Sequence, residues 1–408
     1  MSLMLKQFHN PMSQKLMNTK LLYKLIRTNG PVTKNALIEL TGLKQTTCGR
    51  IVEELVQEGL IIESGTDRSS GGRKPIMYDI NSKLYYCIGI DISRTFTKVL
   101  LLDIHLKVKD EAKLRMDHTC SPEKTISFII NAIEKMLNKN QIQHAQLLGI
   151  GIGAIEPLDR EKGIIFNPLY FPANNWRNIR ISEILRNHFN TRILVDSGVN
   201  TAIRAEYEIG LNSVVGNLAY TIAGVGIRLG LMTNHQLFHS PATGFGKYGN
   251  GHMVVNTNGR KCDCGNYGCV QTYSSILALK EEIIHHLKRG HSSILTEKIA
   301  NPDEIEFEDI CWALKNDDQL CSFIVKDFGF YTGMGVANII NLFQPDIFIL
   351  EGPMYSRLEL FYETVTKTAS ERIGKIYPGY EVKFSHGYLG ENAAAIGAGS
   401  MVLGYYID

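Results

Sequence analysis

The sequence predicts an α/β fold in two parts, a winged helix-turn-helix followed by a two-lobed domain, and three observations carry that prediction. Between Met17 and Glu58 three helical patterns are separated by glycine turns, with short strands after them. From Tyr85 onward strand runs alternate with helices, and a strand-rich set occurs twice. Further on, His252, Cys262, Cys264 and Cys269 fall within eighteen positions, threaded on glycines as GHMVVNTNGRKCDCGNYGC.

The N-terminal elements follow from local pattern. Met17 to Thr28 places Leu21, Leu22, Leu25 and Ile26 at helical spacing and stops at Asn29-Gly30-Pro31, a turn signal. Thr33 is a candidate N-cap for a helix over Lys34 to Leu40, which Thr41-Gly42 interrupts. A third helix runs from Lys44 to Glu58 with Ile51, Val52 and Leu55 inward. Helix, glycine turn, helix is the arrangement whose second helix enters the DNA major groove. Gln45, Thr46, Thr47 and Arg50 then occupy the outward N-terminal half of that helix, within reach of base edges or phosphates. Leu60 to Ser64 and Tyr78 to Ile80 pair as strands around Gly65 to Pro75, a wing in which Arg68, Arg73 and Lys74 are the expected DNA contacts. A helical protein-interaction module with a solvated basic loop is the competing reading.

Charge separates the two. The net charge is only +2, yet residues 1–80 hold 11 Lys and Arg against 7 Asp and Glu, so the basic excess lies where DNA contact is expected. With 44% hydrophobic and 21% charged residues, the composition is that of an ordinary globular protein. No apolar run approaches a membrane span, and MSLMLKQFHNPMSQ has no apolar core with a cleavage site, so the expectation is a cytoplasmic protein with no membrane partner. Cys48, Cys87, Cys120, Cys311 and Cys321 are scattered rather than spaced as staples, which suits a reducing compartment.

In the second part CIGIDIS, TKVLLLDI and LKVKDEAKL read as a three-strand meander, followed by a helix over Pro122 to Leu137 and a buried strand at LLGIGIGAI. NLAYTIAGVGIRLGLMTN and DIFILEGP supply the second set. The duplication resembles the actin-like ATPase fold, in which nucleotide lies between two similar lobes. One imidazole and three thiols form a Cys₃His set, the donor chemistry of a closed tetrahedral structural Zn2+ site, whereas a plain loop of free thiols is the alternative.

GIDISRTFTKV, NPLYFPANNW, VDSGVN, GVGIRLG, GHM with CDCGNYGC, GVANIINLFQPDIFILEGP and ENAAAIGAG lie in turn along the chain. Through them it resembles, over nearly its whole length, the ROK family of repressors and sugar kinases, in its regulator branch with a winged helix in front. The resemblance implies zinc ligation by His252, Cys262, Cys264 and Cys269, and a two-lobed actin-like (ROK sugar-kinase-like) domain. The expected boundaries are 1–80 for the DNA-binding domain and 81–408 for the effector domain. Within the latter, 81–200 and the C-terminal helix near 389–408 form the small lobe, and 201–388 the large lobe.

The kinase chemistry that the resemblance implies is incomplete. Family kinases carry an Asn-Asp pair whose Asp takes the proton from the attacking sugar hydroxyl, but Ser197 and Gly198 stand at those places, and glycine accepts no proton. If VDSGVN ends a strand, Asp196 shares a face with Gly198 but sits too far away to replace it. The double glycine of the first phosphate loop is replaced after Asp91 by Ile92-Ser93-Arg94-Thr95, and Arg228 interrupts the second loop of Gly224, Gly226 and Gly230. Arg94 and Arg228 are the side chains through which phosphate binding would persist. Two sugar-binding Glu positions are Gly249 and Gln271, leaving Ser197, His252 and Gln271 as expected effector contacts. The expectation is therefore a non-enzymatic repressor of carbohydrate uptake or catabolism genes. It would bind operator DNA as a homodimer or dimer of dimers and answer to a sugar or sugar derivative. An ATP-dependent sugar kinase and a zinc-responsive regulator are the alternatives.

Overall fold

The computed structural model describes residues 4–9, 12–66, 74–211, 213–239 and 249–408, which form two compact units, Met1–Thr201 with Ala394–Asp408, and Ala202–Ala393. The first unit opens with α1 (Met4–Gln7) and α2 (Gln14–Asn29), then β1 (Val32–Thr33), α3 (Lys34–Thr41), α4 (Gln45–Gln57), β2 (Ile61–Thr66) and β3 (Ile76–Ile80). Helix α2 begins three residues before the apolar pattern does, because Ser13 Oγ accepts from the Leu16 N–H and caps it. Thr33 caps α3 in the same way through the Ala36 N–H, and Gly42, at φ +66°, ends it. The sheet order β1-β3-β2 is that of a winged helix, with Val32 opposite Tyr78. β1 does not show in the sequence, being only two residues long.

The rest of this unit is built on β4 (Tyr86–Ile92), β5 (Phe96–Asp103), β6 (Val108–Arg115), β7 (Leu147–Ala154) and β10 (Arg192–Ser197), with a small pair β8 (Leu158–Asp159) and β9 (Ile164–Ile165) between them. Helices α5 (Pro122–Lys139) and α6 (Ile181–Phe189) pack on that sheet, and α7 (Gly198–Ala205) leads into the second unit. Pro122 opens α5, as the sequence predicts, and Ser121 caps it through the Lys124 N–H. Ile88, Ile90, Val99, Ile129, Ile133 and Ile150 form the fully buried centre.

The second unit holds β11 (Leu218–Ala223), β12 (Ile227–Thr233), β13 (Gln236–Leu237), β14 (Ile347–Glu351) and β15 (Lys383–Ser385). Its helices are α8 (Ile276–Lys288), α9 (Leu295–Lys298), α10 (Phe307–Lys315), α11 (Gln319–Phe343), α12 (Pro353–Arg357) and α13 (Glu359–Ile376). The chain closes with α14 (Ala393–Ile407), which returns to the first unit. The two five-stranded sheets have one topology: β6-β5-β4-β7-β10 in the first and β13-β12-β11-β14-β15 in the second. In each, an antiparallel meander is followed by two strands added in parallel on the far side of the first strand. The duplication legible in the sequence is thus a duplication of strand order.

Candidate nucleic-acid interface and metal centre

Helix α4 buries Cys48, Ile51, Val52 and Leu55, so its pitch turns Gln45, Thr46 and Arg50 to solvent and leaves Thr47 half-buried. The first turn carries no acidic residue, and Lys44 makes no side-chain cap. The leading N–H groups and the positive end of the helix dipole therefore face outward beside two polar side chains and an arginine, a surface suited to a polyanion. The acidic residues of α4 sit farther along and are used internally. Glu54 pairs with Lys15 of α2 at 2.8 Å and Glu53 with Lys34 of α3 at 3.1 Å. Lys74 is exposed just before β3, whereas Arg68 and Arg73 lie outside the described residues.

The candidate metal-ligating set is brought together. One ligand atom from each of His252, Cys262, Cys264 and Cys269 lies within 4.8 Å of the others, close enough to hold one metal ion. His252 Nδ1 is 3.5 Å from Cys262 Sγ, and Cys264 Sγ is 3.7 Å from Cys269 Sγ. A knuckle positions them. Lys261 pairs across to Tyr267, Cys262 N–H donates to Asn266 O at 2.8 Å, and Val254 pairs with Cys269. Gly268 has φ +69°, and a Cβ there would overlap the Asn256 carbonyl oxygen, so only glycine lets the strand carrying Cys269 come this close. Burial and the neighbouring thiols push Cys269 up to about 12, while the Asn266 N–H holds the exposed Cys264 thiol below its ordinary value. A cation between four such donors is the natural counterweight, since thiolates rather than thiols ligate.

Two contacts that sequence reasoning missed tie the knuckle down. The Arg260 guanidinium lies 4.7 Å from the Tyr273 ring centre and 4.4 Å from that of Phe328, and it pairs with Glu282 of α8 at 3.0 Å and Asp327 of α11 at 3.5 Å. Its only signal was a lone arginine between Gly259 and the cysteines. Gln271, two residues past Cys269, accepts the Ile227 N–H at 3.1 Å, which links the knuckle to the turn between β11 and β12. No spacing rule predicts a bond spanning 44 positions.

The remaining expected residues are divided between the units. Ser197 belongs to the first unit, and His252 and Gln271 to the second. Ser197 is 1% exposed, and its Oγ has no partner among the described residues, a buried group of a kind that costs about 1–3 kcal/mol unless something satisfies it. Gly198 opens α7 rather than continuing the strand, so the strand-face relation expected for Asp196 does not apply. Asp196 instead accepts from Ser197 N–H at 2.7 Å and Asn200 Nδ2 at 3.0 Å, with Arg160 at 3.7 Å. A Cβ at position 198 would lie 3.6 Å from Asp91 Oδ1, in ordinary contact, so sterics alone do not demand glycine. In the first loop, Arg94 Nε donates to the Leu169 carbonyl at 2.9 Å. Arg228 lies in β12 opposite Ile222.

Comparison with known proteins places this geometry. A sequence model described as the ROK family matches residues 87–404, and one described as a winged helix-turn-helix DNA-binding segment matches residues 18–62. The chain is similar to the xylose repressor of Bacillus spizizenii, 29% identical over 396 residues and covering 97% of both chains. Among solved structures, a ROK family transcriptional regulator described as a homolog of the E. coli MLC protein superposes with a TM-score of 0.77 at 20% identity, over 96% of this chain and 97% of that one. A ROK family glucokinase from Streptomyces griseus, solved with glucose and AMPPNP, superposes with a TM-score of 0.64 at 21% identity, over 78% of this chain and 98% of that one. At these identities the two structures establish the fold.

Proposed function

This chain belongs to the ROK family and carries a winged helix-turn-helix in front of the family domain, and on that premise we propose that it is a DNA-binding transcriptional repressor of carbohydrate uptake or catabolism genes. The observation that carries the reading is the outer face of α4, where Gln45, Thr46 and Arg50 stand exposed around an uncapped, acid-free helix start. Thr47 on that helix and Lys74, Arg68 and Arg73 at the wing complete the proposed contact set. Residues 1–80 form the reader, and residues 81–408 the effector domain. A two-fold homodimer, or a dimer of dimers, would read two half-sites in the cytoplasm.

In the effector domain, phosphotransfer is proposed to be lost. Gly198 offers no base, Asp196 is engaged by Arg160 and Asn200, and Arg94 is turned to a backbone carbonyl. Ser197, His252 and Gln271 are the proposed effector contacts. Ser197 supplies a buried hydroxyl, and Gln271, its amide oxygen already engaged by Ile227, would meet a sugar hydroxyl with its amide hydrogens. Zinc is the metal proposed at His252, Cys262, Cys264 and Cys269, because three thiolates with one imidazole closing around a single point match its structural sites. Bound there, it would fix the knuckle; a closed four-ligand set favours that role over sensing.

The test is selection of duplexes from a random pool by the full chain, followed by footprinting. Two related half-sites about one helical turn apart, or a multiple of it, are expected. Recovery of no enriched sequence would overturn the assignment.

A further inference from the structure

The winged helix is held to the end of the chain. His9, just past α1, stacks on Tyr405 with ring centroids 3.7 Å apart and 15° between planes, and its Nδ1 lies 2.8 Å from the Tyr405 carbonyl oxygen. Lys24 of α2 pairs with Asp408 at 2.8 Å. Arg192 of β10 also lies over the Tyr405 ring, 4.2 Å from its centre, so the last turn of α14 touches the reader and the first sheet at once. Phe8, fully buried, packs on Tyr23 of α2, and α2 in turn holds α4 through the Lys15–Glu54 pair. Contacts therefore run without a break from α14 to the proposed reading helix.

The other end of α14 lies where the chain passes between its two units. One passage is at Ala393–Ala394, where α14 starts, and the other at Thr201–Ala202, inside α7. A Cβ at Gly397 would overlap the Thr201 carbonyl oxygen, so α14 and α7 meet backbone to backbone beside both passages. In the same turns, Cβ atoms at Gly89 and Gly151 would overlap the carbonyl oxygens of Ala395 and Ala398, so α14 is seated on β4 and β7 with no side chain between them. Such a contact has no rotamer with which to absorb a displacement, and its neighbours shift with it. Fifteen residues of helix make a rod about 22 Å long.

We infer that α14 is the lever that couples the two passage segments to the winged helix. Tyr405 on the helix and Asp408 just past its end are the coupling residues, and His9 and Lys24 their partners on the reader. A change at α7 and the start of α14 moves the rod, and the rod moves α1 and α2, on which α4 rests. The inference rests on the DNA-reading function proposed above. Coupling is reciprocal, so it can be driven from the DNA end without knowing the effector.

The experiment uses the full chain and a duplex of about 30 base pairs, enough for two half-sites, selected by the chain itself from a random pool. Hydrogen exchange is followed by mass spectrometry with and without that duplex for the wild type, Tyr405→Ala, and the milder Asp408→Asn. In the wild type the duplex should protect α4 and alter exchange in α14 and α7. In both variants α4 should still be protected, because none of these positions lies on its outer face, while the response of α7 is lost in Tyr405→Ala and reduced in Asp408→Asn. An α7 response that is unchanged in both variants, or absent from the wild type, overturns the lever. Selection of no duplex, or α4 left unprotected, removes the DNA reading on which it stands.

Discussion

The knuckle around His252 and the corner around Gly198 are both places where a ROK chain keeps side chains for chemistry, and they have fared differently. In the knuckle all four donors converge, with a glycine at the one point of backbone overlap and Arg260 clamped between two rings and two carboxylates. At the corner β10 and α7 are in place, yet Gly198 stands where the proposed reading expects a kinase's base, and Asp196, two residues before it, is occupied by Arg160 and Asn200. The difference teaches what this domain is for, on the function proposed here. Groups that fix shape are kept, and groups that would move a proton are not.

The largest effect expected from breaking one side of that comparison is at the knuckle. Stripping the metal, or Cys269→Ser, should remove most of the order of residues 249–275, since structural zinc contributes about 10–16 kcal/mol in peptide sites at neutral pH. Elemental analysis with thermal denaturation checks this. One zinc per chain and a large fall in Tm on its removal are expected, and an unchanged Tm would mean that the knuckle stands without metal.

At the corner, the wild type should release no ADP with ATP and a panel of hexoses and N-acetylhexosamines. Gly198→Asp should stay silent too, because the Ser93-Arg94-Thr95 turn remains. Turnover approaching the median enzyme rate of about 10 s⁻¹ in the wild type would return the chain to the kinases. Turnover in the variant alone would show that one lost base explains everything.

A smaller effect sharpens the account of the knuckle. Arg260→Ala removes a largely desolvated cation from two aromatic faces and should cost about 2 kcal/mol without changing metal stoichiometry, as read by chemical denaturation beside metal analysis. Loss of zinc in that variant would make Arg260 part of the metal site rather than its clamp. The smallest effect is at the wing, where Lys74→Ala should flatten the salt dependence of DNA binding by about one counterion and leave sequence preference alone.

How far the sequence could be read varies with how local each feature is. The four candidate metal ligands span eighteen positions and have a donor chemistry of their own, so their grouping was legible, as were the start of α5 at Pro122 and the helices α2, α3 and α4. The start of α2 was read late because Ser13, not an apolar residue, sets it. β1 was missed because two residues carry no alternation. The opening of α7 was hidden by Gly198, a residue that rarely announces a helix. The bonds of Gln271 to Ile227, of Arg260 to α8 and α11, and of His9 to Tyr405 join residues 22 to 396 positions apart, and only the folded chain brings them together. Arg68 and Arg73 lie outside the described residues, so their part in the wing rests on the sequence.

The most direct test of the central claim, that α4 reads DNA for a domain that no longer phosphorylates, is a fluorescence-anisotropy titration of the full chain. It compares the selected duplex with a scrambled one at several salt concentrations, for the wild type and Arg50→Ala. The account predicts that the wild type prefers its selected duplex by at least about 10³-fold. Arg50→Ala should lose about 1–3 kcal/mol of that preference if it makes a bidentate base contact, while keeping the salt slope within about one counterion. Equal affinity for both duplexes, or an Arg50→Ala variant indistinguishable from the wild type in preference and slope, would contradict it.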